Sequence, residues 1–155
     1  MSELDLVAEI KSIANLLHDE GIEYAICGGI AVTIHGAPRS TKDIDLLVQP
    51  ADVERIVEIV RPLGWRFRAL PIVFDTGEPH ERHLTRVTRV EGKLVVMLDL
   101  ISVNQYFVDV FEGRETISVG EQSLCVVSRQ GLAKMKRLAG RPQDLADLQK
   151  LGIDP

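Results

Sequence analysis

The sequence is poor in cysteine and in aromatic residues, and it has no apolar run long enough to span a bilayer. Cys27 and Cys125 are its two cysteines, far apart and each inside an apolar run. That pattern reads as buried free thiols and excludes a disulfide framework or a cysteine-based metal cluster. Without a run near eighteen apolar residues, no membrane helix is expected. The first residues, MSELDLVAEIKS, are acidic and amphipathic and lack the basic start and apolar core of a secretion signal. A reducing, cytoplasmic setting is the expectation that follows.

Positive charge is also scarce. The net charge of −5 argues against a broad nucleic-acid-binding face. A local basic cluster remains, with Lys134, Lys136, Arg137 and Arg141 near the C-terminus. No G-x-G-x-x-G and no P-loop lysine occur, so neither a dinucleotide-binding nor a P-loop fold is supported. Internal repeats, low-complexity segments and linkers are missing too. The 155 residues therefore read as a single domain, 1–155, large enough for a real core.

What is present alternates between helical and strand patterns. Leu6, Val7, Ile10, Ile13, Ala14 and Leu17 recur at helical spacing, with Ser2 as a cap and Gly21 as a stop. Glu23–Cys27 reads as a short strand. Gly28-Gly29 turns it into a helix over about Ile30–His35, broken by Gly36-Ala37-Pro38. Asp43–Val48 is a strand and Asp52–Val60 a helix. Trp65–Leu70 is a strand, and Pro71–Glu81, with Gly77 and Pro79, a loop. Arg82–Val90 and Leu94–Ile101 form a hairpin about Glu91-Gly92-Lys93. A short helix is predicted near Asn104–Phe111, followed by a second hairpin of Thr116–Val119 and Ser123–Val127. Ser128 caps a helix to Ala139, Gly140 stops it, and Pro142 opens a last helix through Leu151. The fold class is α/β (α+β): a mixed, partly antiparallel sheet flanked by helices, with a helical C-terminal part over about 128–152.

Two features stand out in the stretch Ile26–Val48. One is Gly28-Gly29, between a strand and a helix, where backbone N–H groups can seat an anion. Gly-Gly is also a common turn. The other is Asp43-Ile44-Asp45, two carboxylates in an apolar strand. Residues i and i+2 of a strand face the same way, about 6–7 Å apart. Buried charges are costly unless paired or bound to metal. The pair suits a hard cation, Mg²⁺ or Mn²⁺, held by oxygen. Asp99 is the lone charge in the apolar strand Leu94–Ile101 and could complete such a site. Two cations there could activate an attacking hydroxyl and stabilise a leaving pyrophosphate. The plainer reading has Asp43 paired with Lys42 or Arg39, Asp45 capping a turn and Asp99 ending its strand.

Other polar residues leave two readings each. His35 fits packing or acceptor contact. His80 and His83 flank Glu81, but no third metal ligand stands out. Arg82 and Arg86 share a strand face and Arg89 takes the other. A solvated surface is the bland reading, and contact with an anionic acceptor such as an RNA end the sharper one. Asp144 and Asp147 fit ion pairs with Arg141 or neighbouring bases. Trp65 and Phe67 fit the core or a sheet face.

Cys27-Gly28-Gly29, Asp43-Ile44-Asp45 and Asp99 together resemble the nucleotidyltransferase superfamily of DNA polymerase beta-like enzymes. The signature is an apolar residue, Gly-Gly or Gly-Ser, a spacer, Asp-apolar-Asp, and a third acid on a later strand. Arg39-Ser40-Thr41-Lys42-Asp43-Ile44-Asp45 is similar to the loop of the small bacterial branch, which includes lincosamide-type and abortive-infection toxin-like nucleotidyltransferases. Met135-Lys136, Ala139-Gly140-Arg141, Asp144 and Asp147 fit that branch's C-terminus.

The resemblance implies a metal-dependent transfer of a nucleoside monophosphate from a nucleoside triphosphate to a hydroxyl. Gly28 and Gly29 would cradle the triphosphate, and Asp43 and Asp45 would hold the metals. Asp99 would be third ligand or general base. Lys136 would meet phosphate oxygens as a mobile point charge, with Arg39 and Thr41 beside the nucleotide. Many members carry serine where this chain has Gly29, as part of the family does, so that bond to phosphate is absent here or made by a backbone N–H. The acceptor stays open between a small molecule such as an antibiotic, a tRNA end and a protein side chain. The alternative is a catalytically weak or inactive binding module, for example half of a toxin–antitoxin pair with an antitoxin partner.

Overall fold

The computed structural model describes residues 5–38 and 40–155. Ser2 and Arg39, expected at the first helix cap and beside the nucleotide, lie outside the described residues. The first helix, α1 (Leu6–Asp19), is capped by Asp5, whose carboxylate accepts from the N–H groups of Val7 and Ala8. Its helical-period residues Ile10, Ile13, Ala14 and Leu17 are all buried.

The strand β1 (Tyr24–Cys27) runs without a loop into α2 (Gly28–Ile34). The helix therefore starts at Gly28 itself rather than at Ile30. Then come β2 (Asp43–Val48), a 3₁₀ turn at Pro50–Asp52 and α3 (Val53–Val60). The next strands are β3 (Phe67–Arg68), β4 (Ile72–Phe74), β5 (Arg82–Glu91) and β6 (Leu94–Ser102). The chain closes with α4 (Val108–Glu112), β7 (Glu115–Val119), β8 (Gln122–Val126), α5 (Arg129–Ala139) and α6 (Pro142–Lys150).

Among the described residues the strands form one 8-stranded sheet, in the order β3-β5-β6-β2-β1-β8-β7, with β4 also paired to β5. β2 is parallel to β6, and β1 is parallel to β8; the remaining pairs are antiparallel. The expected mixed sheet flanked by helices is thus present. The helices pack in two groups, α1 against α3, and α5 against α2, α4 and α6.

Two local expectations are corrected. The segment Pro71–Glu81 is not all loop, because Ile72–Phe74 pairs with β5 in register Phe74↔Arg82. The strand expected over Trp65–Leu70 shrinks to Phe67–Arg68. Trp65 turns into the core at 1% exposure, whereas Phe67 and Leu70 stay exposed. A segment that buries one end and wets the other cannot keep a strand's alternation along its length. At the far end, Ser128 caps α5 by accepting from Gly131 N–H, and Gly140 ends it with φ +62°.

Candidate active site

The site is built on one row across four adjacent strands. The registers Cys27↔Asp45, Asp45↔Asp99 and Asp99↔Arg86 place these residues side by side from β1 through β2 and β6 to β5. Pleating explains why β2 can carry charge: Ile44 and Leu46 go into the core, while Asp43 and Asp45 face the other way. They line a cleft of about 510 Å³ together with Gly28, Gly29, Thr41, Asp99 and Lys136. The structure therefore brings together every expected site residue that it describes.

Gly28 is there because Asp45 is. A Cβ on Gly28 would lie 2.0 Å from Asp45 Oδ2, and its φ of +64° favours glycine. The glycine removes a side chain from where the carboxylate sits. Thr41 shapes the entry to β2: its Oγ1 accepts from Asp43 N–H at 3.3 Å.

The electrostatics of the row are unbalanced. Burial, then the charges of Asp99 and Asp43, push the Asp45 carboxyl from its ordinary 3.8 up to about 7, against the pull of Lys136 and Arg141. Cys27 is also pushed up, by burial first and then by Asp45. Such a cluster is what a hard cation relieves. Asp43 and Asp45 fit that role as oxygen donors. Asp99 is held differently. Arg86 Nε donates to its Oδ1 at 2.8 Å and Arg86 Nη2 to its Oδ2 at 2.9 Å. Both oxygens are thus occupied by a bidentate guanidinium. No group of three or more His, Cys, Asp or Glu side chains is arranged to hold a metal ion among the described residues.

Lys136 is not a mobile charge. It is 4% exposed, and its Nζ donates to Asp144 Oδ1 at 3.2 Å and to Asp147 Oδ2 at 2.9 Å. Arg141 adds two side-chain bonds to Asp144. Burial pushes the Asp144 carboxyl up, but Arg141 and Lys136 outweigh it and hold it below its ordinary value. The expected pairing of Asp144 and Asp147 with nearby bases is present, with Lys136 as its centre.

The β5 arginines do not form a solvated face. Arg82 bonds Asp75, and its guanidinium lies 4.8 Å from the Phe74 ring. Arg89, on the opposite face as expected, pairs with Glu9 and Glu91 over Trp65. His35 Nε2 meets Val127 O at 2.8 Å, a packing role. His83 pairs with Glu81. Cys27 and Cys125 are free thiols, as expected.

Pattern reading singles out Arg86 as a solvated-face or anionic-acceptor residue and misses its pairing with Asp99. Its position was countable: Glu91 pairs with Leu94 across Gly92-Lys93, and stepping back equally along both strands sets Arg86 opposite Asp99.

The family model described as "Uncharacterised nucleotidyltransferase" matches residues 1–132. The chain belongs to this nucleotidyltransferase family. The match spans the Gly-Gly turn and all three aspartates and stops within α5, before Lys136.

Solved structures agree on the fold. A candidate nucleotidyltransferase from Thermotoga maritima aligns with TM-score 0.66 at 14% identity, covering 97% of this chain and 94% of its own. The lincosamide antibiotic adenylyltransferase LnuA, solved with lincomycin bound, aligns at 0.63 and 15% identity, covering 94% and 95%. The antibiotic-resistance factor ANT(2'')-Ia aligns at 0.60 and 14%, covering 94% and 82%. At such identities the likeness is one of fold. A search of curated proteins gave no match. No helix among the described residues is long and apolar enough to cross a membrane.

Proposed function

We propose that this nucleotidyltransferase-family protein moves a nucleoside monophosphate from a nucleoside triphosphate to a hydroxyl acceptor. The observation that carries this reading is the row Asp45–Asp99, with Asp43 beside it, opening onto the cleft next to Gly28-Gly29. Asp43 and Asp45 would hold Mg²⁺ or Mn²⁺, which when bound would neutralise triphosphate charge and polarise the α-phosphorus. Gly28-Gly29, beside the Asp45 carboxylate, would offer backbone N–H groups to phosphate oxygens. The acceptor oxygen forms a bond to the α-phosphorus as the bond to the bridging oxygen breaks. Pyrophosphate leaves, and the hydroxyl proton passes to a carboxylate of the row, for which Asp99, next to Asp45, is the candidate. Thr41 holds the β2 entry in place. Lys136 acts on the site through the α5–α6 contact and through its charge near Asp45.

The test is transfer of label from α-labelled triphosphates, with Mg²⁺, onto a panel of hydroxyl acceptors. Asp45→Asn should lose at least about a hundredfold; a folded Asp45→Asn that transfers like wild type sinks the mechanism. A second reading has one observation behind it. Arg86 occupies both oxygens of Asp99, which suits a protein that binds a nucleotide without turning it over. Calorimetric binding of triphosphate together with absent transfer in every acceptor arm would favour it.

A further inference from the structure

We infer that the face of β5 beyond Asp99 is the acceptor subsite, and that it takes a hydroxyl acceptor carrying a phosphate group, gripped by Arg86 and Arg82. This rests on the proposed transfer reaction and adds the acceptor's chemistry to it.

The order of the row supplies the direction. Gly28-Gly29 follow β1, Asp45 is on β2, Asp99 on β6 and Arg86 on β5. Adjacent strands are about 4.8 Å apart, so the row runs about 10 Å from Asp45 to Arg86. With the phosphates at the glycine end, pyrophosphate leaves on that side. Attack on phosphorus is in line with the leaving group, so the acceptor oxygen arrives from the opposite side, over β6 and β5.

The chemistry of that wall is cationic and apolar. Arg82 and Arg86 share the cleft face of β5, with Leu84 between them and Ile101 paired to Leu84. The bonds to Asp99 use two of Arg86's five N–H donors. Arg82 gives one bond to the exposed rim residue Asp75, and its Nε, buried, has no acceptor among the described residues. Its guanidinium rests on Phe74, which is 42% exposed, so an aromatic or sugar face can extend the stack. A polycation meets two guanidinium groups here. A phosphate meets the three N–H donors that Asp99 leaves on the Arg86 guanidinium. The overall charge of −5 confines this to a local subsite for a small phosphorylated molecule or the end of a strand.

The test measures binding to the whole protein, with and without Mg²⁺ and each non-hydrolysable triphosphate analogue. One arm uses a fluorescent single-stranded RNA ending in a 3′-hydroxyl, read by anisotropy. The second compares a hexose phosphate with the free hexose by calorimetry, and the third uses an aminoglycoside. At least one phosphate-bearing probe should bind, and the aminoglycoside should not. Arg82→Gln and Arg86→Gln should each weaken the bound probe about tenfold. For RNA, each should lower the salt slope by about 0.7, the share of one phosphate contact. Arg86→Lys, which keeps the charge and supports the fold beside Asp99, should recover only part of the affinity. Binding of RNA alone or of hexose phosphate alone identifies the source. The inference is overturned if phosphorylated probes bind no better than the free hexose, if the aminoglycoside binds instead, or if folded arginine variants bind like wild type. Triphosphate binding in the same samples separates the two readings: its loss overturns the proposed reaction, whereas its presence with arginine-independent probes overturns this subsite alone.

Discussion

Asp45 concentrates the tension of the site in one side chain. Its carboxyl is pushed up to about 7 by burial and by Asp99 and Asp43, whereas in the unfolded chain it ionises near 3.8. Between those values the folded state binds the extra proton. Stability therefore falls as pH rises from about 4 to about 7 and is level above that. At full strength the shift corresponds to about 4 kcal/mol; because the side chain opens onto the cleft, about 2 kcal/mol is expected. Asp45→Asn removes the charge and keeps the shape. It should be more stable than wild type by about 2 kcal/mol at pH 8 in denaturant titrations, with the gap closing toward pH 4. A variant less stable than wild type at pH 8 would show that the cluster is not repulsive. Gly28→Ala places a Cβ 2.0 Å from Asp45 Oδ2 at a φ of +64°. It should cost about 1–3 kcal/mol of stability and displace the carboxylate. A melting curve and the transfer assay would register both effects, and an Ala variant equal to wild type in both would exclude so close an approach.

At the scale of elements, the α5–α6 pair is held by a buried charge cluster rather than by an apolar seam alone. Lys136 sits between Asp144 and Asp147, and both acids are almost fully buried. Removing the cation leaves two buried carboxylates without it, and breaking such a pair typically costs about 3–5 kcal/mol. Lys136→Met should therefore unfold at clearly lower denaturant. If the variant kept its stability and lost only transfer, Lys136 would belong to the phosphates after all.

This difference marks the limit of what the sequence makes legible. Helical periodicity located α1 and α3 because a helix that buries one face must repeat its apolar residues, and α5 was located by its ends, the Ser128 cap and the Gly140 stop. Asp43–Val48 was legible as a strand, and as a site, because charges in an apolar run need a reason. The short strand β4 was not, and β3 was legible only inside a longer strand expected over Trp65–Leu70, since strands of two or three residues carry too few positions to show alternation. The partners of Lys136 and Arg82 were hidden for another reason. They depend on register and helix docking, and a charge looks the same in sequence whether it meets water, phosphate or a buried aspartate.

At the scale of the whole molecule, the charged cleft residues are already matched to one another: Arg86 with Asp99, Lys136 with Asp144 and Asp147, and Arg141 with Asp144. Asp45 is the one the surroundings disfavour most when ionised. A divalent cation arriving with a triphosphate cancels about half of its charge before it meets the acids of the cleft. The cation alone relieves Asp43 and Asp45, whereas the triphosphate alone meets four acids in its wall. Binding should therefore be strongly coupled. Thermal unfolding gives the readout, because a ligand that binds only the folded state stabilises it by about 2.7 kcal/mol at a hundredfold excess over Kd. For a chain of this size that is roughly a 5–11 °C rise in Tm. Mg²⁺ with the preferred triphosphate should produce such a rise. Either component alone should produce much less, and Asp45→Asn should abolish the difference. A triphosphate that raises Tm equally in EDTA would show that the phosphates are held by the basic side chains of the cleft, and the assignment of Asp43 and Asp45 to a metal would then fail.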